Sequence, residues 1–115
     1  VEKLTSYKFR QGDIVHLQFD PQSGREMKGK HFALVLSNDA FNQSELALVA
    51  PITQGSYHRK GGFTTSLMGA GTDTLGIVVA NASKILDLRA RKAVFKESCP
   101  RLILDEVHAK FSAIL

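Results

Sequence analysis

Five side chains able to move protons or grip an anion fall between positions 25 and 31: Arg25, Glu26, Lys28, Lys30 and His31. A carboxylate and an imidazole can exchange protons with a substrate, and neighbouring cations can hold a phosphate. A second group, Tyr57, His58, Arg59 and Lys60, lies in the stretch Gln54 to Gly62. An aromatic ring among cations suits single-stranded RNA, through base stacking and phosphate contact; the plainer reading is a solvated loop.

Other chemistries find little here. No Gly-x-Ser-x-Gly elbow is present, and the one cysteine, Cys99, has no base beside it in sequence. One cysteine forms no internal disulfide and no cysteine-based zinc cage, so a reducing, cytoplasmic setting is expected. His16, His31, His58 and His108 lack the spacing of metal ligands, so neither a metal nor any other cofactor is expected. His108 is expected to serve the surface or the packing of a helix.

These groups sit in a chain of 115 residues, 43% hydrophobic and 23% charged, with a formal net charge of +4. That is the composition of one globular domain, expected to span residues 1–115. The basic surplus favours polyanionic partners, although a charge of this size also serves solubility. No apolar run is long enough to span a membrane, and residues 1–5 carry charge where a signal peptide would be apolar.

The elements that must position these residues read as short strands. Asp13 to Phe19 alternates apolar and polar residues, as a half-buried strand does, and Asp20 to Gly24 ends it in turn residues. Phe32 to Ser37 is a continuous apolar run and so a central strand; Leu46 to Ile52 is a third. Pro51 predicts that this third strand ends, or lies at an edge, at that point. Phe63 to Leu67 and Gly76 to Ala80 are the fourth and fifth, and a short helix covers Asp39 to Asn42. Ile103, Val107 and Phe111 then recur every four residues, with Leu104 and Ile114 flanking the stripe. That period predicts an amphipathic helix starting near Ser98 and Pro100. The sum is a mainly β (α+β) fold: a small, strongly bent barrel with a C-terminal helix packed on it.

Several of these stretches, in order, resemble the MazF/PemK family of toxins. Gly12-Asp13-Ile14-Val15 with Phe19-Asp20-Pro21 is similar to the family's opening strand and turn, and Gly24-Arg25-Glu26 with Gly29 to the loop that follows. Ala33-Leu34-Val35-Leu36-Ser37, Ala40-Phe41-Asn42 and Val49-Ala50-Pro51-Ile52-Thr53 match the next segments. Gly76-Ile77-Val78 resembles a later strand, and Leu86-Asp87-Leu88-Arg89-Ala90-Arg91 the one after it. Each motif alone is weak; in order, from about residue 7 onward, they are specific.

The resemblance implies an SH3-like β-barrel, a homodimer, and a metal-independent endoribonuclease that cuts single-stranded RNA at short motifs. It also implies a cognate antitoxin lying across the RNA groove. In such cleavage the substrate's 2′-hydroxyl is the nucleophile, so a base, an acid and a cation suffice. Glu26 stands where many members carry a glutamate assigned to acid–base work. His31 stands where the family usually has arginine followed by proline; a histidine is not an equivalent substitute, because arginine stays charged and grips phosphate with two bonds. Arg25 stands where some members carry histidine. Thr53 ends the Pro-Ile-Thr pattern, where its hydroxyl would bond a phosphate or a base, or else cap a turn. PemK-like enzymes carry a catalytic arginine and aspartate and then a glutamine where this chain has Val79, Asn81 and Ala82. Asn81 can hydrogen-bond but cannot act as a base. Lys84, at a position often basic in the family, would supply part of the missing charge. Arg89, Arg91, Lys92 and Lys96 either extend the positive surface or form a solvated face.

Three functions compete. In the first, an active endoribonuclease, Glu26 and His31 handle protons, Arg25, Lys84 and Thr53 hold phosphate, and Asn81 positions RNA. In the second, motivated by Val79, Asn81 and Ala82, the site has decayed and the chain only binds antitoxin or RNA. The third is a gyrase poison on the same fold, since fold alone does not decide function.

Overall fold

The computed structural model describes residues 7–19, 30–54 and 62–115. In chain order the elements are β1 (Asp13–Gln18), β2 (Lys30–Val35), α1 (Asp39–Asn42), β3 (Leu46–Thr53), β4 (Thr64–Ser66) and β5 (Ile77–Val79). A 3-10 turn (Ala80–Ala82), β6 (Lys84–Asp87), β7 (Val94–Ser98) and α2 (Arg101–Ser112) complete them. All strand pairings are antiparallel, in the order β4-β5-β3-β2-β1-β7, with β6 also paired to β3. The mainly β reading with one C-terminal helix holds.

Among the described strands no ladder joins β6 to β7, and the bent sheet stays open rather than closing into a barrel. A turn does bring their ends together, through the hydrogen bond from Ala93 N to Leu88 O at 2.9 Å. The second half of the Leu86–Arg91 match therefore lies in this turn rather than in a strand.

Pro51 is also corrected. It lies inside β3, opposite Ala33, with β2 on one side of the strand and two partners on the other. β6 pairs Leu46 through Val49, and β5 pairs Ile52 and Thr53. Pro51 falls in the gap between those two ladders, where a missing N–H costs no ladder bond.

The pleat separates two cores. Ile14, Leu34, Ala50, Ile52 and Val78 face α2, which buries Leu104 and Val107 against them. The helical period read from the sequence is correct, but Ser98 closes β7, Pro100 caps the helix, and Ile114 lies past its end, 46% exposed. On the opposite face Val15, Leu17, Phe19, Ala33, Val49, Leu86 and Leu88 form the second core as the sheet curls onto itself. Burying each large side chain of this kind contributes about 1.5–3 kcal/mol.

The β4–β5 connection is fastened from an unexpected quarter. Glu97 on β7 accepts hydrogen bonds from Thr74 Oγ1 at 2.6 Å, Thr74 N at 2.7 Å and Asp73 N at 3.0 Å. Burial alone would raise the carboxyl's pKa; the Thr74 hydroxyl and the two amides outweigh it and hold it below the usual value. A depressed acid stabilises the fold above its unfolded pKa of about 4.3, and that contribution disappears as pH falls through the folded value. Glu97→Gln should therefore cost about 1 kcal/mol in urea unfolding near neutral pH. The difference from wild type should shrink below about pH 4.

Candidate functional site

One end of the sheet collects the ends of three strands. β1 finishes there, β2 begins there, and β3 finishes there. The ladder pairs Leu17 with His31 and Phe32 with Ile52, so the next step of the same register sets His31 against Thr53. Residues so opposed have Cβ atoms about 4.5–5.5 Å apart. Thr53 in turn faces Ile77 of β5. Both His31 and Thr53 are half-buried, and their positions in the alternation put them on the same face as Leu17 and Val49. An imidazole and a hydroxyl thus share one rim of the curled sheet, with histidine able to donate or accept a proton and threonine able to bond an oxyanion.

A close backbone approach sets the Thr53 end. Gly76 has φ +127°, and a Cβ there would lie 2.6 Å from the Thr53 carbonyl oxygen. Gln54 Nε2 donates to Leu75 O at 2.9 Å and binds the same two segments together. Nothing in the residue pattern singled out Gly76 for this; only the packing of two backbones does.

Lys84 starts β6 opposite Val49, four residues and so roughly 13 Å along β3 from Thr53. Its ammonium nevertheless lies 5.1 Å from the centroid of the Phe19 ring, two residues past Leu17, the partner of His31. The curl of the sheet brings this cation back toward the rim. Asn81 is exposed in the 3-10 turn just before β6, rather than on a strand. Val79 is 1% exposed, so this position offers the rim neither charge nor hydrogen bond.

Lys30 opens β2 opposite Gln18. Arg25, Glu26, Lys28, Tyr57, His58, Arg59 and Lys60 lie outside the described residues. The segment 20–29 joins the described structure next to Phe19 and Lys30, and 55–61 leaves it next to Gln54, all at this end, and rejoins it at Gly62.

Two arginines placed provisionally on a positive surface have other tasks. Arg89 pairs with Glu45 at 3.3 Å. Arg91 donates from Nη1 to Phe19 O, and its own carbonyl accepts from Gln18 N at 3.0 Å. Burial, with a smaller push from Glu97, raises the Cys99 thiol to about 11, which removes it as a nucleophile near neutral pH. Among the described residues no three His, Cys, Asp or Glu side chains gather as metal ligands, and no helix is long and apolar enough to cross a membrane.

Residues 10–115 match the family of PemK-like, MazF-like toxins of type II toxin–antitoxin systems. The endoribonuclease toxin ChpB of Escherichia coli K12 is 48% identical over 88 residues, covering 75% of this chain and 76% of that one. Endoribonuclease PemK of Escherichia coli is 35% identical over 106 residues, covering 90% and 80%. The crystal structure of MazF from Deinococcus radiodurans superposes with a TM-score of 0.82 at 34% identity, over 95% of this chain and 97% of that one. A MazE–MazF crystal structure from the same organism gives 0.81 at 33%, over 95% and 96%.

Proposed function

The chain belongs to the PemK-like, MazF-like toxins of type II toxin–antitoxin systems, and we propose on that premise that it is an endoribonuclease that cuts single-stranded RNA in the cytoplasm. The observation that carries this reading is the convergence of His31 and Thr53, one register step past the Phe32–Ile52 pair, at the rim from which both basic segments depart. The 2′-hydroxyl of the substrate attacks the adjacent phosphorus, and the 5′-oxygen leaves. His31 and Glu26 exchange the two protons. Thr53, Arg25 and Lys84 hold the phosphate oxygens, where charge develops in the transition state. Lys28, Lys30, Tyr57, His58, Arg59, Lys60 and Asn81 guide the strand and select its sequence. The open, curled sheet then serves as an SH3-like barrel with a wide seam. The test is incubation of the purified protein with a long single-stranded RNA plus EDTA. Discrete fragments ending in 2′,3′-cyclic phosphate are expected; intact RNA, or cleavage that EDTA abolishes, contradicts the reading.

A decayed binding module is the second reading, because Val79 contributes no charge. Growth arrest on expression of the chain alone separates it from the first.

Homologous MazF is found with MazE, and a cognate antitoxin is the partner we assign to this chain, laid across the same rim. A second copy of the chain is the other partner. The groove between β3, β6 and α2 has an apolar side formed by Phe41, Leu48, Ile85, Phe111 and Leu115, with Ile85 54% and Leu115 90% exposed, beside the polar Gln11, Asn38 and His108. Ile85→Lys, on the face of β6 opposite Lys84, should convert a sedimenting dimer to monomer with little loss of fold.

A further inference from the structure

A lysine is a poor phosphate clamp unless something holds it still. Its four-carbon stem rotates freely, and ordering it on binding weakens the contact. Lys84 is exposed and starts a strand at some distance from the rim, yet its ammonium lies over the Phe19 ring. That ring is 1% exposed, packed in the second core. Its backbone is clasped by the β6–β7 turn: Arg91 Nη1 donates to Phe19 O, and Gln18 N donates to Arg91 O. Among the described residues no carboxylate lies within ion-pair distance of Lys84. The charge is thus held by a ring and has no carboxylate partner among the described residues, which is what an external anion requires.

We propose that Phe19 is a positioning residue whose ring holds the Lys84 ammonium in place to receive a phosphate of single-stranded RNA. The inference rests on the RNA-cutting function proposed above. The ring face attracts the ammonium without consuming its charge, unlike a carboxylate, so the lysine arrives ordered and still able to bind an anion. Arg91 acts one step further back, by fixing the Phe19 backbone.

The experiment measures binding of a 2′-O-methyl single-stranded RNA, which lacks the attacking hydroxyl, by anisotropy over a range of KCl concentrations. Lys84→Ala should weaken binding and flatten the plot of log affinity against log salt by about 0.7, the value for one phosphate contact on a single strand. Phe19→Leu should weaken binding about 2- to 5-fold and leave that slope unchanged, since the charge remains. Phe19→Tyr, which keeps a ring, should restore it. In the Lys84→Ala background Phe19→Leu should have no further effect. An equal loss in both backgrounds would show that the ring serves only the core and overturn the proposal. A wild type that binds RNA, with Lys84→Ala indistinguishable from it, would overturn it too. A wild type that binds no RNA would overturn the function proposed above and this inference with it, a different outcome. An independent readout needs no core substitution: the Lys84 ε-methylene protons, assigned through Lys84→Arg, should be shifted upfield by the ring in the free protein. Unshifted resonances would refute the contact itself.

Discussion

His31→Ala should lower the single-turnover rate of RNA cleavage by at least about 100-fold, the lower end of what a positioned acid or base contributes. Binding of the uncleavable 2′-O-methyl strand should change much less. The reason lies in the geometry: His31 pairs with Leu17 of β1, and the β2–β3 register, carried one step past Phe32 and Ile52, brings it level with Thr53 at the rim. A melting curve on the same variant reports any loss of fold separately from the loss of the proton carrier. His31→Arg separates the two roles the residue combines. An arginine keeps the cation and cannot give up its proton at working pH. If His31 carries protons, His31→Arg stays slow; if it only neutralises phosphate, that variant recovers most of the rate. Wild-type rates in His31→Ala would remove the residue from the mechanism.

The largest stability effect is expected at Gly76. A methyl group there would meet the Thr53 carbonyl oxygen at 2.6 Å and the Ile52 side chain at 3.1 Å, from a backbone at φ +127° that L residues rarely adopt. The conformational strain alone costs about 1–3 kcal/mol, and the clash adds to it. Gly76→Ala should therefore lower the melting temperature by roughly 10 °C or more. Gly69→Ala is the control: its φ is +77°, but nothing lies within 4 Å of its Cβ. It should lose only the conformational part. Because Gly76 leans on Thr53, the folded fraction of Gly76→Ala should also cleave RNA more slowly than Gly69→Ala does. Equal melting temperatures for the two variants would show that the close approach is not tight in solution.

How much of this was legible in the residues depends on burial. β2, β3 and β5 are lined by continuous apolar runs, and they stood out. β6 has one buried residue, Leu86, and β7 has none, so their patterns carried little signal. Only the resemblance hinted at β6, and it placed the segment too far along. Pro51 misled because the proline rule assumes one neighbour along each side of a strand, whereas β3 changes neighbours at that point. At the rim, Thr53 and His31 came from a likeness to known toxins; a single histidine and a single threonine at strand ends have no period to detect. Their apposition comes from register, which only pairing defines. Phe19 and Arg91 were visible as residues but not as parts of a site. One stood at the end of an alternating strand and the other among exposed charges, and their joint task depends on a sheet that folds back on itself.

The opening and closing strands of that sheet are neighbours: Asp13 lies opposite Ser98, and Arg91 clasps Phe19 from seventy-two positions away. Nearly the whole polypeptide must leave the ribosome before β1 gains its second flank. Topologies dominated by such distant pairings fold on the millisecond-to-second scale. A half-made chain therefore lacks the clasp of Arg91 on Phe19, and the rim is complete only once β7 has joined β1.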